Sequence, residues 1–376
     1  MILRINELKD VCSVVLTALD STEFSSISET LQLKAESNRL VLSITNREYF
    51  VKAYLNNIEE TDFFATVDAF LFLKLISNTT TETVELTIST DNTSLIVKGD
   101  GNYKLPLIFD GEKPLELPEI ALNNITTEFD VDSSILRSIN TYNTKQLSVG
   151  VIKQPVQKMF YVDEYGAITF TSGACVNSFT LPSPVKMLLN QRLVKLFKLF
   201  REGAVHFCLG HESINENLIQ NRVSFSDKMI EITAILSADD KMISSVPVTA
   251  IRGIANSEYC YSVTLERTYL QDTLNRIGLF ARVSGGVNVT GLFSFTSDSV
   301  TISDIRKINK ETLYYNNEIT NIDSYDVYLD LEEVRAVLDT CSEKYLNIRF
   351  GDKKAVTINR GNIINILPEV IVNQDE

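Results

Sequence analysis

The sequence predicts an α+β fold in which one unit of strands and two helices is written three times. Three observations carry this reading. Short runs alternate apolar and polar residues, as in Arg39–Thr45, where Leu40, Leu42 and Ile44 mark a strand with one buried face. Stripes with helical spacing interrupt those runs, two to a round. The whole order then restarts near residues 1, 126 and 259, and repetition constrains an architecture more than any single motif does.

The first round predicts a helix over Asn6–Leu19, with Leu8, Val11, Cys12, Val15 and Leu19 on one face. Strands follow at Thr30–Ala35, Arg39–Thr45 and Glu48–Leu55, then a second helix at Val67–Ser77. A hairpin, Val84–Ser89 with Ser94–Lys98, turns at Asp91-Asn92, and Tyr103–Ile108 closes the round. The second round opens with a strand at Thr126–Val131 and a helix at Ser133–Tyr142 that turns Ile135, Leu136 and Ile139 inward. Ala167–Thr171, Val205–Leu209, Arg222–Ser226 and Met229–Leu236 are its further strands. The third runs from the strand Cys260–Leu265 and the helix Tyr269–Leu279 to a hairpin around Ser297-Asp298. Val327–Leu329, a helix at Leu331–Cys341, and strands Tyr345–Phe350, Ala355–Asn359 and Ile363–Leu367 complete it. The expected joints are Leu115–Asn124 and Pro247–Ser257, giving segments 1–123, 124–254 and 255–376.

The slot for the second helix of the middle round holds the most distinctive stretch, Pro182–Glu202. It carries Lys186, Arg192, Lys195, Lys198 and Arg201 against the single acid Glu202. From Gln191 it reads as an amphipathic helix, with Leu193, Leu196, Phe197 and Phe200 on one face and Arg192, Lys195 and Lys198 opposite. The 376-residue chain around it has a formal charge of −14. A basic helix face in an acidic protein is a footprint for a polyanion, whereas the acidic remainder disfavours loose adhesion to nucleic acid or anionic membrane.

With 44% hydrophobic and 22% charged residues the composition is that of a globular protein of two or three domains. No apolar run approaches a membrane span, and MILRINELKD interrupts its apolar start with charges, unlike a secretory leader. The five cysteines, Cys12, Cys175, Cys208, Cys260 and Cys341, are odd in number and far apart, which fits reduced thiols in a cytoplasmic protein.

Three like units joined by short connections extend a sheet edge to edge into an arc, which leaves two unpaired edges. A symmetric dimer is the simplest closure, and helices on the inner side would line a hole.

This arrangement resembles the bacterial sliding clamp, the β subunit of the replicative DNA polymerase, over essentially the whole chain. The resemblance rests on the length with its three rounds and on two short runs. Thr171-Ser172-Gly173-Ala174-Cys175-Val176 stands where the family carries a Thr-Asp-Gly-His-Arg-Leu type run. Asn365-Ile366-Leu367-Pro368 stands in place of its apolar-Met-Pro ending. The family's His-Arg pair is here Ala174-Cys175, and eight residues follow Pro368, departures that suggest a distant member of the kind a bacteriophage encodes. The resemblance implies three sliding-clamp domains per chain, each with β-sheets and two helices, closing into a homodimeric ring. It implies a processivity factor that encircles duplex DNA without sequence preference, tethers the polymerase, and has neither catalytic residues nor cofactor.

Candidate residues follow. Lys74, Arg137, Arg192, Lys195, Lys198 and Arg276 lie opposite the apolar stripes and are the cations expected to face DNA, with Asp10 and Glu343 on comparable faces opposing them. A solvated surface explains any one of them equally well; the set points to function. By resemblance, a groove between the second and third domains takes short apolar peptides from the polymerase and the clamp loader. It would use Leu147, Thr171, Gly173, Val176, Pro247, Leu367 and Pro368. Ordinary core and turn positions would account for the same residues. The tail beyond Pro368, with Val370, Ile371 and Val372, is expected to extend a strand at the rim or to compete for that groove.

Catalysis finds little support. His206 and His211 are the only histidines, and their spacing matches no metal pattern, so no metal site is expected. No phosphate loop, Cys-x-x-Cys or His-Glu-x-x-His run occurs. The main rival is a β-rich assembly protein of the virion type, which would share the repeats and acidity but need no basic helix face.

Overall fold

Strands of successive repeats pair with one another, and this decides how the chain divides. A computed structural model describes residues 1–19, 27–56, 58, 62–148, 152–215, 218–283, 289–322, 324–352 and 355–372. Two compact units emerge: Met1–Ser134 with Lys195–Ser237, and Ile135–Val194 with Ala238–Glu376. The middle repeat is shared between them, because each of its two sheets is continuous with a sheet of a neighbouring repeat.

In the first unit, helices α1 (Ile5–Ala18) and α2 (Ala69–Asn78) pack together. Asp68 caps α2, accepting from the Leu71 N–H at 2.7 Å. An eight-stranded antiparallel sheet runs in the order Asn124–Asp132, Ala204–Asn215, Leu218–Ser226, Ile230–Ile235, Tyr49–Asn56, Arg39–Thr45, Thr30–Glu36, Phe64–Asp68. Its seam is the pairing of Ile232 with Val51, a strand of the middle repeat against one of the first. Ser37 and Asn38, both at positive φ, make the two-residue turn that the strand spacing demands. A four-stranded sheet, Ile2–Arg4, Thr83–Ile88, Ser94–Lys98 and Asn102–Pro106, completes the first repeat.

At the start of the second unit, α3 (Ser133–Ser138) runs through one wide turn, Ile139–Asn143, into α4 (Thr144–Leu147). The basic stretch is shorter as a helix than its periodicity suggests. Lys186–Asn190 is a strand paired with Met159–Asp163; α5 covers Gln191–Leu196, and Phe197–Leu199 tightens into a 3-10 turn. The Asn190 side chain accepts from the Leu193 N–H at 2.8 Å, which starts the helix there. The apolar stripe is as expected: Leu193, Leu196, Phe197 and Phe200 are all buried. Phe197 meets Phe225 edge to face at 4.8 Å, and Phe225 meets Phe207 at 5.4 Å.

The segment around Pro247, expected as a joint, is helical. Short α6 (Asp240–Ser244) and α7 (Val248–Ala255) follow each other, and α7 packs on the strands Ala174–Ser178 and Ile363–Leu367. Those two strands pair at Val176–Ile364 inside a second eight-stranded sheet. Its order is Lys186–Asn190, Met159–Asp163, Gly166–Phe170, Ala174–Ser178, Ile363–Leu367, Val356–Arg360, Tyr345–Phe350, Tyr261–Glu266. The third repeat adds α8 (Arg267–Val283) against α9 (Leu331–Leu338) and a four-stranded sheet of Lys310–Tyr314, Ser299–Asp304, Thr290–Phe295 and Tyr325–Asp330.

Candidate functional site

The expected peptide-site residues all fall in the second unit, and the structure sorts them into three groups. Leu147, Thr171 and Gly173 converge. Gln146, beside Leu147 on α4, donates to the Thr171 hydroxyl at 3.4 Å, and the Gln157 amide donates to the Thr171 carbonyl at 3.1 Å. The Thr171 N–H closes a tight turn on the Gly173 carbonyl at 2.8 Å. A Cβ on Gly173 would stand 2.5 Å from the Ile366 carbonyl oxygen, so only glycine lets the two chains approach this closely. From α9, the buried Glu333 reaches this turn and accepts a hydrogen bond from the Ser172 hydroxyl. Burial raises its carboxyl above the usual range, and the Ser172 bond offsets part of that rise.

Val176 belongs to an apolar cluster with Ala174, Ile168, Val246, Ile251 and Ile366. Met159, Phe170, Met242, Ile243, Val248 and Ile364 pack around it while staying partly exposed. This ring is the accessible apolar surface beside the Thr171–Gly173 turn. Pro247 sits at its margin as the exposed residue that leads into α7.

Leu367 is corrected. Strand alternation sends Ile364 and Ile366 to the Val176 side and Leu367 to the opposite face, where it is 2% exposed in the core of the third repeat. Pro368 is half-buried beyond it. The tail is tied to the third repeat: the Val370 N–H donates to the Tyr328 carbonyl of the edge strand Tyr325–Asp330 at 2.8 Å. Residues 373–376 lie outside the described residues.

What the spacing did not reveal are α6 and α7, which supply Met242, Ile243 and Val248. The signals were present. The Asp239 side chain caps α6 by accepting from the Met242 N–H at 2.8 Å, and Val248, Ile251 and Ala255 hold helical spacing after a proline. α7 is anchored by Arg252, whose guanidinium donates twice to Asp163, at 2.7 and 2.6 Å. Burial alone raises the Asp163 carboxyl, yet the Arg252 and Tyr165 donors outweigh it and hold it below the ordinary carboxylate range.

The expected DNA-facing cations separate by environment. In the first unit Lys74, Lys195 and Lys198 are exposed on helix faces opposite buried stripes. In the second, Arg137 and Arg192 are half-buried and have partners of their own. Arg276 is exposed but bound to Glu311 through two hydrogen bonds, of 2.8 and 2.7 Å, and this partner holds the Glu311 carboxyl down. Asp10, on α1, is exposed and lines an open cleft of about 690 Å³ with Arg201, Glu202 and Lys228. Charge on these exposed faces of the first unit is therefore mixed, with the exposed cations Lys195 and Lys198 close together on the basic stretch.

The architecture is the α+β fold of the DNA sliding clamps. It superposes on the Thermotoga maritima DNA polymerase III β subunit with a TM-score of 0.77 at 14% identity, covering 99% of both chains. A Pseudomonas aeruginosa sliding clamp bound to griselimycin matches at 0.80 and 11%, and a Helicobacter pylori β clamp bound to a DNA ligase peptide at 0.73 and 14%, again over 99% of each chain. No protein-family model and no curated protein sequence matches the chain.

Proposed function

We propose that the protein is a DNA sliding clamp: a non-enzymatic homodimeric ring that encircles duplex DNA and tethers a polymerase. One observation carries the reading, the rule by which its sheets join. At both seams the last strand of one repeat's sheet pairs antiparallel with the next-to-last strand of a sheet in the repeat before it: Ile230–Ile235 with Tyr49–Asn56, and Ile363–Leu367 with Ala174–Ser178. Among the described strands, the ones that correspond to the seam strands but lack such a partner are Asn102–Pro106, last in its sheet of the first repeat, and Lys310–Tyr314, next to last in its sheet of the third. An unpaired edge is a template for another chain, and a two-fold axis brings each copy's first edge to the other's second. Exposed Tyr103, at 42%, and Tyr314, at 72%, lie on those strands, where pairing would cover them. Domains 1–123, 124–254 and 255–376 then act as six similar modules in the ring.

Lys195 and Lys198, with Lys74, supply sequence-independent attraction to phosphate in a chain whose acidity keeps DNA off its other faces. The apolar ring around Val176 takes a short peptide from a polymerase or loader, as the Helicobacter relative takes a ligase peptide. Light scattering for the dimer mass, with retention on nicked circular but not linear DNA, tests the proposal. A monomer, or equal retention on both substrates, would reject it. A virion-type assembly protein would instead form larger arrays and ignore DNA topology.

A further inference from the structure

On the first unit's long sheet, strands Asn124–Asp132 and Ala204–Asn215 set Glu128 directly opposite Cys208 and Asp130 directly opposite His206. Residues two apart on a strand share a face, so all four side chains meet on one side of the sheet. The ligand atoms of Glu128, His206 and Cys208 lie within 4.8 Å of one another, and His206 Nε2 is 3.9 Å from Glu128 Oε2. On the other side of the ring, His206 Nδ1 is 3.0 Å from the Asp130 carboxylate.

We propose that Glu128, His206 and Cys208 form a surface site for a thiophilic divalent cation of the zinc class, with Asp130 as its positioning residue. The set mixes a carboxylate oxygen, an imidazole nitrogen and a sulfur, the donors zinc takes, at about 2.0–2.3 Å from each. Tetrahedral ligand atoms then stand roughly 3.3–3.8 Å apart, so modest side-chain rotation closes the present spacing. A hydrogen bond from Nδ1–H to Asp130 fixes the tautomer that aims the Nε2 lone pair at the site, as second-sphere carboxylates do for metal-bound histidines. Cys208 is a buried thiol and would bind as the thiolate, giving up its S–H proton. Binding forms the metal–sulfur bond and releases that proton to solvent. Three protein ligands leave a fourth position for water or for a donor from a partner, while the metal clips the edge strand Asn124–Asp132 to its neighbour.

The test is titration of the reduced, full-length protein with Zn²⁺ by calorimetry, and with Co²⁺ by absorption. The expected result is one tight ion per chain and a cobalt–thiolate charge-transfer band. Cys208→Ser should abolish the band, Cys260→Ser should keep it, and Asp130→Ala should weaken affinity about 10- to 100-fold. Glu128→Gln and His206→Gln change exposed side chains and serve if Cys208→Ser fails to fold; each should lower affinity at least tenfold. Absence of stoichiometric binding, or binding that survives these ligand substitutions, would overturn the assignment.

Discussion

Ser172 donates its hydroxyl to Glu333, joining a turn of the middle repeat to a helix of the third through a carboxyl that is 3% exposed. This contact fixes the Thr171–Gly173 turn beside the partly exposed apolar ring, and it does so with a group that burial makes reluctant to ionise.

The pH dependence follows from the sign of that shift. A carboxyl whose folded pKa is raised binds its proton more readily in the folded state, so its contribution is present below the ordinary glutamate range and lost as pH rises through the folded value. Relative to Glu333→Gln, the wild type should lose stability from mildly acidic to neutral pH. Asp163 works the other way: its depressed carboxyl stabilises above the ordinary aspartate value, and that is lost as pH falls through the folded value. Denaturant titrations of wild type, Glu333→Gln and Asp163→Asn across that range should show the two opposed slopes.

Arg252 carries the position of α7. Removing it as Arg252→Ala leaves Asp163, whose side chain is 4% exposed, without its partner. The expected cost is about 3–5 kcal/mol, since breaking one side of a buried pair leaves an uncompensated charge. Chemical denaturation measures it, and proteolysis within Asp240–Ala255 should accelerate in parallel.

Docking and folding should separate at neighbouring residues. Ile364→Asp and Val248→Asp place charge on the partly exposed ring and should weaken a polymerase-derived apolar peptide by about tenfold or more, with unfolding little changed. Leu367→Ala, one strand position past Ile366, should cost about 2–5 kcal/mol of stability instead. Calorimetry with the peptide and thermal unfolding on the same variants distinguish the two roles.

The tail is expected to act on the third repeat and not on the groove. Deleting residues 370–376 removes the bond from Val370 to Tyr328 and should cost about 1 kcal/mol while leaving peptide affinity unchanged. Tighter peptide binding by the truncated chain would restore the competition expected from the tail's apolar composition.

Cations on the basic stretch should matter unequally. Lys195→Glu with Lys198→Glu should weaken direct binding to short duplexes and flatten its salt dependence by about one slope unit per cation lost. Arg276→Glu should do less, because Glu311 already neutralises that guanidinium. Binding isotherms over a salt series give the slopes.

Much of the fold was legible because its causes are local. Alternation marked Arg39–Thr45 and Ile363–Leu367 to the residue, and helical spacing found the buried face of α1 and the positions of α8 and α9. Repetition, which needs no partner to be seen, gave the α+β class. Long-range pairing was not legible. Leu367 is as apolar as Ile366, and only the pairing of its strand with Ala174–Ser178 decides which of them joins the cluster around Val176. α7 was hidden because a proline that starts a helix reads, out of context, as one that ends a segment. Glu128 and Cys208 are distant in sequence and carry no ligand spacing, yet adjacent strands place them opposite each other. Sequence by itself settled which residues seek the interior and how often the pattern recurs, since both follow from side-chain polarity along a regular backbone. Only the tertiary structure decided which buried faces meet, because strand register and helix docking are set by contacts between residues far apart in the chain.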